Sequence, residues 1–189
     1  MARDDNSVNI PRSAYHHGDL RLALIEKGLR LLAERDAEAL SLREVARAVG
    51  VSATSVYRHF PDKSALMTAL AQEGLRQLGA AQAEAAAAVG GAEAFAATGR
   101  AYIRFALANP ALFRLIFASP ALAPEKARGP LHSQAGEMLQ AHAAALSARR
   151  GGEAQIRAIR AWSLVHGLAM LMLDGQVPMD EALISKVVD

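Results

Sequence analysis

The sequence predicts an all-α protein of about nine helices, on three observations. Apolar residues recur at spacings of three and four along most of the chain, which is the period of one helical face. Ser, Asp and Glu stand just before these runs, and Gly, Pro or Asn-Pro just after them, as at helix ends. No stretch shows the apolar–polar alternation of a half-buried strand.

Residues 1–15 are polar with one Pro and read as a flexible arm. Leu22, Ile25, Leu29 and Leu32 then stack on one face of a helix from about Gly18 to Arg35. Ser41-Leu42-Arg43-Glu44 is a capping box, in which the serine hydroxyl and Glu44 satisfy reciprocal backbone amides. Leu42, Val45, Ala46 and Val49 form the inward stripe of this short helix, and Gly50 ends it. Ser52 caps a third helix, Ala53 to Phe60, which Pro61 cuts off. Asp62 caps a fourth that runs through an Ala-rich tract to about Ala88, before the Gly90-Gly91 break.

Ala92 to Asn109 is the fifth helix, stopped at Asn109-Pro110, and Ala111 to Phe117 the sixth. Ser119-Pro120, Pro124 and Gly129-Pro130 mark a loop of the kind that flanks binding cavities. Leu131 to Arg150 and Glu153 to Leu173 are long helices divided by Gly151-Gly152, and Asp180 to Val187 is the last. The expected organisation is an arm at 1–15, a helix-turn-helix unit at 16–62, a connecting helix at 63–88, and a helical domain at 89–189.

Composition bounds the function. The 189 residues are 52% hydrophobic and 21% charged, enough apolar material for a core without staples. Cys is absent, which excludes a disulfide framework and thiolate metal or nucleophile chemistry. The N-terminus lacks the basic start and apolar run of a leader. The most apolar stretch, Ala161 to Leu173, is about 13 residues against the roughly 20 of a membrane span. A soluble, cytoplasmic protein is expected. No Ser/His/acid set, paired carboxylates, zinc-binding histidine pair or phosphate-binding glycine loop speaks for an enzyme. His132, Glu137 and His142 are spaced by fives, about 140° apart on a helix, so they form no metal site.

Net charge is only +2, so any nucleic-acid role must rest on local placement. Leu40 to Leu66 supplies it. Two short helices joined by a glycine turn are helix-turn-helix geometry, with Ala46 at the crossing and Val51 and Val56 beneath the turn. Ala53, Thr54, Ser55, Tyr57 and Arg58 then line the outer face of a helix sized for a major groove. Between Ser41 and Ser64 four basic residues stand against two acids. Lys63 opposes the dipole of the helix it begins, a placement that an external phosphate would favour. Spacing alone leaves a purely structural helix pair open, and Tyr57 and His59 each have a packing alternative.

The stretch LSLREVARAVGVSATSVYRHFPDKSALMTAL resembles the DNA-binding domain of the tetracycline-repressor (TetR) family of bacterial transcription regulators. The likeness covers roughly Ser13 to Leu78, and GVSATSVYRHFPDK is its most specific run. The glycine usual in the exit turn of the first helix is missing from Arg35-Asp36-Ala37-Glu38. Trp162-Ser-Leu-Val-His166-Gly167 resembles a C-terminal type named for its Trp, His and Gly.

Taken with the outer-face reading, the resemblance implies DNA contacts from Arg43, Ser52, Ala53, Thr54, Ser55, Tyr57, Arg58 and Lys63. It implies a ligand cavity in the C-terminal half, where Phe113, Phe117, Trp162, His166 and Met170 are the candidate wall. The two long C-terminal helices carry Leu139, Leu146, Ile156, Ile159 and Leu168 on more than one face, which suits a four-helix interface with a second copy. The expected protein is a homodimeric repressor on pseudo-palindromic double-stranded operator DNA, without metal, cofactor or membrane partner. A small, mainly apolar effector releases it. The rival is a helical ligand-binding or scaffold protein whose helix-turn-helix is vestigial.

Overall fold

The computed structural model describes residues 17–35, 37–118 and 134–188, and among these nine α-helices and no strand occur. Helix α1, His17–Glu34, turns inward most of the face its spacing suggests, with Ile25 and Leu32 buried and Leu29 packed against the core, but shifted toward Leu24 and Leu31. Leu24, Ile25, Leu31 and Leu32 are buried, whereas Leu22 is 55% exposed. The inward face is centred on Gly28, where a Cβ would lie 3.0 Å from Leu70 of the fourth helix. A glycine there lets two helices approach more closely than any side chain allows.

Helix α2, Leu42–Val49, begins as the capping box requires in one half only. The Ser41 hydroxyl accepts from the Glu44 amide at 3.2 Å. The Glu44 carboxylate, however, pairs with the Arg35 guanidinium instead of reaching back to the cap. A charge-assisted partner outcompetes a neutral amide. Gly50, at φ 82°, lies in the left-handed region, and its amide and that of Val51 close on the Ala46 carbonyl at 3.0 Å each.

Helix α3, Ala53–Tyr57, is shorter than the sequence pattern suggests. The Phe60 amide still bonds the Val56 carbonyl at 2.9 Å, but Pro61 bars continuation and residues 58–60 leave the helix as a turn. Helix α4, Lys63–Val89, starts at the Asp62 carboxylate, which accepts from the Ala65 amide at 2.8 Å. A short 3₁₀ turn, Gly91–Glu93, leads into α5, Ala94–Ala108. Helix α6, Pro110–Ala118, departs from α5 at 107°. Pro110 has no amide to offer α5, and the Asn109 carbonyl accepts from Phe113 to start the new helix.

Helices α7, Gln134–Arg150, and α8, Ala154–Leu173, pack against each other, and α9, Glu181–Val188, returns to α5 and α8. The expected arm, the Ser119–Pro130 loop and the start proposed for the seventh helix at Leu131 lie outside the described residues. The expectation from the 13-residue apolar stretch needs correcting. Helix α8 is, by length and a mean hydropathy of 1.3, apolar enough to cross a membrane. Ile156, Ile159, Leu164 and Leu171 face outward on it, while Ala158, Leu168, Ala169 and Met172 are buried within the chain.

Helix α4 holds these parts together, packing on α1, α5, α6 and α7. At Gly74 a Cβ would meet Leu112 at 2.7 Å and Ile116 at 3.0 Å, both on α6. Gly74→Val should therefore destabilise the protein by roughly 1–3 kcal/mol through overpacking, although valine is the better helix former. Urea unfolding followed by circular dichroism measures it, and an unchanged midpoint would show that α6 yields freely.

Candidate nucleic-acid interface and ligand cavity

The turn between α2 and α3 is held by apolar contacts underneath and caps at the ends, leaving its outer surface to side chains. Val45, Ala46, Val56, Phe60 and Leu66 are buried below it. Arg21 of α1 stacks over the Phe60 ring at 5.4 Å, tying α3 to α1. On the outer side Arg43, Ser52, Thr54, Tyr57 and Arg58 are exposed, and Ala53 and Ser55 are half-buried. Arg47, one turn beyond Arg43, is exposed on the same face of α2, and its i,i+4 spacing from Arg43 was the signal for it. Arg43, Arg47 and Arg58 have no acidic partner among the described residues.

Two residues on this surface carry structural duties as well. The Ser52 hydroxyl caps α3, accepting from the Ser55 amide at 3.2 Å and lying 2.8 Å from the Ser55 hydroxyl. The Lys63 ammonium donates to the Glu38 carbonyl at 2.6 Å, which ties the start of α4 to the turn after α1. That bond uses one of its three hydrogens.

The second site is a cavity of about 90 Å³ in the C-terminal helices. Leu75, Leu78 and Gln82 of α4 form one wall. Phe95, Thr98, Gly99 and Tyr102 of α5 face them, and Phe117, Leu139, Trp162, Leu164, Val165 and Val188 complete the lining with Gly136 and Ala161. Of the five wall candidates named from sequence, Phe117 and Trp162 lie on this lining; Phe113, His166 and Met170 do not. Phe113 is fully buried between Tyr102 and Phe117, in the core behind the wall. Met170 packs half-buried against the core further along α8.

His166 stands behind Tyr102. Its Nδ1 lies 2.8 Å from the Tyr102 hydroxyl, and the Trp162 indole donates to that same hydroxyl at 3.3 Å. The imidazole is surrounded by the rings of Phe113, Phe117, Trp162 and Tyr102 at 4.8–6.3 Å. Burial there pushes its pKa below the usual imidazole range. Burial likewise raises the Tyr102 phenol, against a smaller opposing effect from the Trp162 bond. Tyr102 is thus one of the polar groups on the lining, with half-buried His166 behind it.

Gln82 was missed from sequence because it sits in an alanine tract. The signal was there: Leu75, Leu78 and Gln82 continue one α4 stripe at spacings of three and four. Among the described residues no cluster of three or more His, Cys, Asp or Glu could hold a metal.

The two halves match separate family models. Residues 24–70 match the bacterial regulatory proteins of the tetR family, and residues 95–188 the tetracyclin repressor-like C-terminal domain. Similar solved structures include a protein of unknown function from Rhodococcus sp. RHA1, 29% identical, with a TM-score of 0.76 over 93% of each chain. A TetR-family transcriptional regulator from Streptomyces coelicolor is 23% identical, with a TM-score of 0.69 over 90% of this chain and 78% of that one. The multidrug binding protein EbrR, in complex with imidazole, is 23% identical at a TM-score of 0.60 over 95% of each chain. The chain belongs to the tetracycline-repressor family of bacterial transcription regulators, DNA-binding proteins and not enzymes.

The His166 environment has a consequence for stability. Its folded pKa is depressed below 6.5, so between the two values the unfolded chain binds the extra proton. The protein should lose stability as pH falls below about 6.5, whereas above it the histidine contributes no pH dependence. His142, also depressed by burial, adds in the same direction. Denaturant melts at pH 7.5 and 5.5 should show a smaller loss for His166→Gln than for wild type; an equal loss would remove His166 as a source.

Proposed function

We propose that the chain acts as a homodimeric repressor of pseudo-palindromic operator DNA, released when a small, mainly apolar molecule enters the α4–α5–α8 cavity. The observation that carries this reading is helix α4. Its first turn belongs to the reading head, through the Asp62 cap and the Lys63–Glu38 bond. Three turns on, its Leu75, Leu78 and Gln82 form a wall of the cavity. A ligand pressing on that wall tilts one rigid helix and moves the head at its end. Half-sites lie roughly 34–36 Å apart on one face of DNA, so a shift of a few Å in one head spoils simultaneous docking. A coupling of about 1–3 kcal/mol between the two sites suffices for regulation.

The exposed side of α8 supports the dimer. Ile156, Ile159, Leu164 and Leu171, each at least 40% exposed, spread across the outer side of the helix. Beside them α7 presents Ala141, Ala144, Ala145 and Ala148, small enough for close helix approach. Two copies joined through α7 and α8 bury this surface in a four-helix arrangement, which also explains why so apolar a helix is left uncovered in one chain. The vestigial-motif alternative lacks support of this kind, since Arg43, Arg47 and Arg58 have no acidic partner among the described residues.

In this reading Tyr57 and Lys63 hold phosphates, Arg43 and Arg58 reach backbone or base, and Ser52, Ala53, Thr54 and Ser55 approach base edges. Lys63→Ala should weaken binding to operator and random DNA alike, with the log–log salt slope reduced by about one. Tyr57→Phe should also weaken both. Thr54→Ala should instead change operator preference. Equal losses on both DNAs for all three variants, in salt-titrated anisotropy, would remove the base-reading assignment.

Light scattering on the wild type should give twice the 20.0 kDa chain mass. Ile156→Arg with Leu164→Arg should return it to one chain and abolish tight operator binding. A wild-type mass of 20.0 kDa would defeat the dimer.

A further inference from the structure

The cavity wall has an unusual hydrogen-bond inventory. The Thr98 hydroxyl donates to the Phe95 carbonyl at 2.6 Å. The indole hydrogen of Trp162 goes to the Tyr102 hydroxyl, which also bonds His166 Nδ1. The Thr98 hydroxyl and Trp162 indole hydrogens are therefore spent within the protein. Gln82 differs. Its amide nitrogen donates to the Thr98 backbone carbonyl at 3.2 Å, bridging α4 to α5. A carbonyl can only accept, which decides the orientation of the amide and leaves Oε1 on the other side. That oxygen is buried and has no hydrogen-bond partner among the described residues, in a side chain only 8% exposed.

An unpaired buried acceptor costs free energy that a donor recovers. Apart from Thr98, the other described lining residues are aliphatic, aromatic or glycine, with Phe95, Tyr102, Phe117 and Trp162 as the rings. Among the described residues no carboxylate, ammonium or guanidinium lines the cavity. A charged guest would lose its hydration without gaining a counter-ion. A guest without a donor would leave the Gln82 Oε1 acceptor unpaired.

We propose that this cavity selects a small neutral molecule with an apolar body and one hydrogen-bond donor, an alcohol, a phenol or an N–H compound, and that Gln82 Oε1 receives the donor. The inference rests on the reading of the cavity as the effector site and names the chemistry that site recognises. The volume of about 90 Å³ is below the roughly 150 Å³ that admits benzene. The body is accordingly a short branched chain or a single ring, with one edge seated in the cavity mouth.

Phenol and toluene test it, being nearly the same shape and differing in the donor. An apolar cavity without an acceptor prefers toluene, because the phenol hydroxyl must give up water. In calorimetric titrations of the intact protein, phenol should bind at least as tightly as toluene. The emission of Trp162, the single tryptophan, should change on binding. Gln82→Met, similar in volume and without the carbonyl, should weaken phenol by about tenfold or more and leave toluene at wild-type affinity.

Toluene binding by the variant shows that its cavity is intact; if the variant binds neither compound, the wild-type order alone decides. Tenfold preference of the wild type for toluene, an unchanged phenol-to-toluene ratio in Gln82→Met, or no binding of either compound overturns the proposal. Phenol bound through Gln82 with operator affinity unchanged would leave the ligand chemistry standing and instead defeat the effector reading.

Discussion

The close seat of α4 is the constraint on which the other features depend. At one end its Leu70 packs over Gly28 of α1; one turn later its own Gly74 accepts Leu112 and Ile116 of α6. Both contacts need a missing side chain, and, four residues apart, they lie on one face of α4. The first fixes the DNA-facing unit to α4 and the second fixes α4 to the C-terminal helices. Because α1 also packs on α6, the reading head is braced twice against the body that contains the cavity.

At the cavity end of α4, Gln82 donates one side-chain hydrogen bond to α5, and its Oε1 has no partner among the described residues. The Tyr102–His166–Trp162 set behaves differently. Its hydrogen bonds are satisfied inside a shell of rings, and burial keeps the imidazole neutral. That network joins α5 to α8 at the cavity wall.

The DNA-facing surface shows a related economy. Ser52 and Lys63, both proposed DNA contacts, also make structural bonds: one caps α3, the other ties α4 to the turn after α1. The absence of a glycine in that turn is compensated locally, by the Arg35–Glu44 pair and by the Glu38 carbonyl receiving Lys63. Side chains around the motif thus secure a loop that backbone freedom alone does not.

Much of this was legible in the residues. The caps Ser41, Ser52 and Asp62, the stop at Gly50 and the break at Pro61 are local signals, set by backbone sterics and orphan amides within a few residues. They located the helix-turn-helix and the order of helices without reference to anything distant. Tertiary structure decided the rest. Spacing could not tell how far the inward stripe of α1 shifts from Leu22, since Leu22 and Gly28 exchange importance only when α4 presents Leu70. Nor could it place His166 behind Tyr102, or show that Phe113 is core and Gln82 is wall. Those depend on which faces of four helices meet, and a pairwise contact between residues sixty positions apart leaves no periodicity in the chain. Local propensity determined the elements; the missing side chains of Gly28 and Gly74 determined how closely those elements pack.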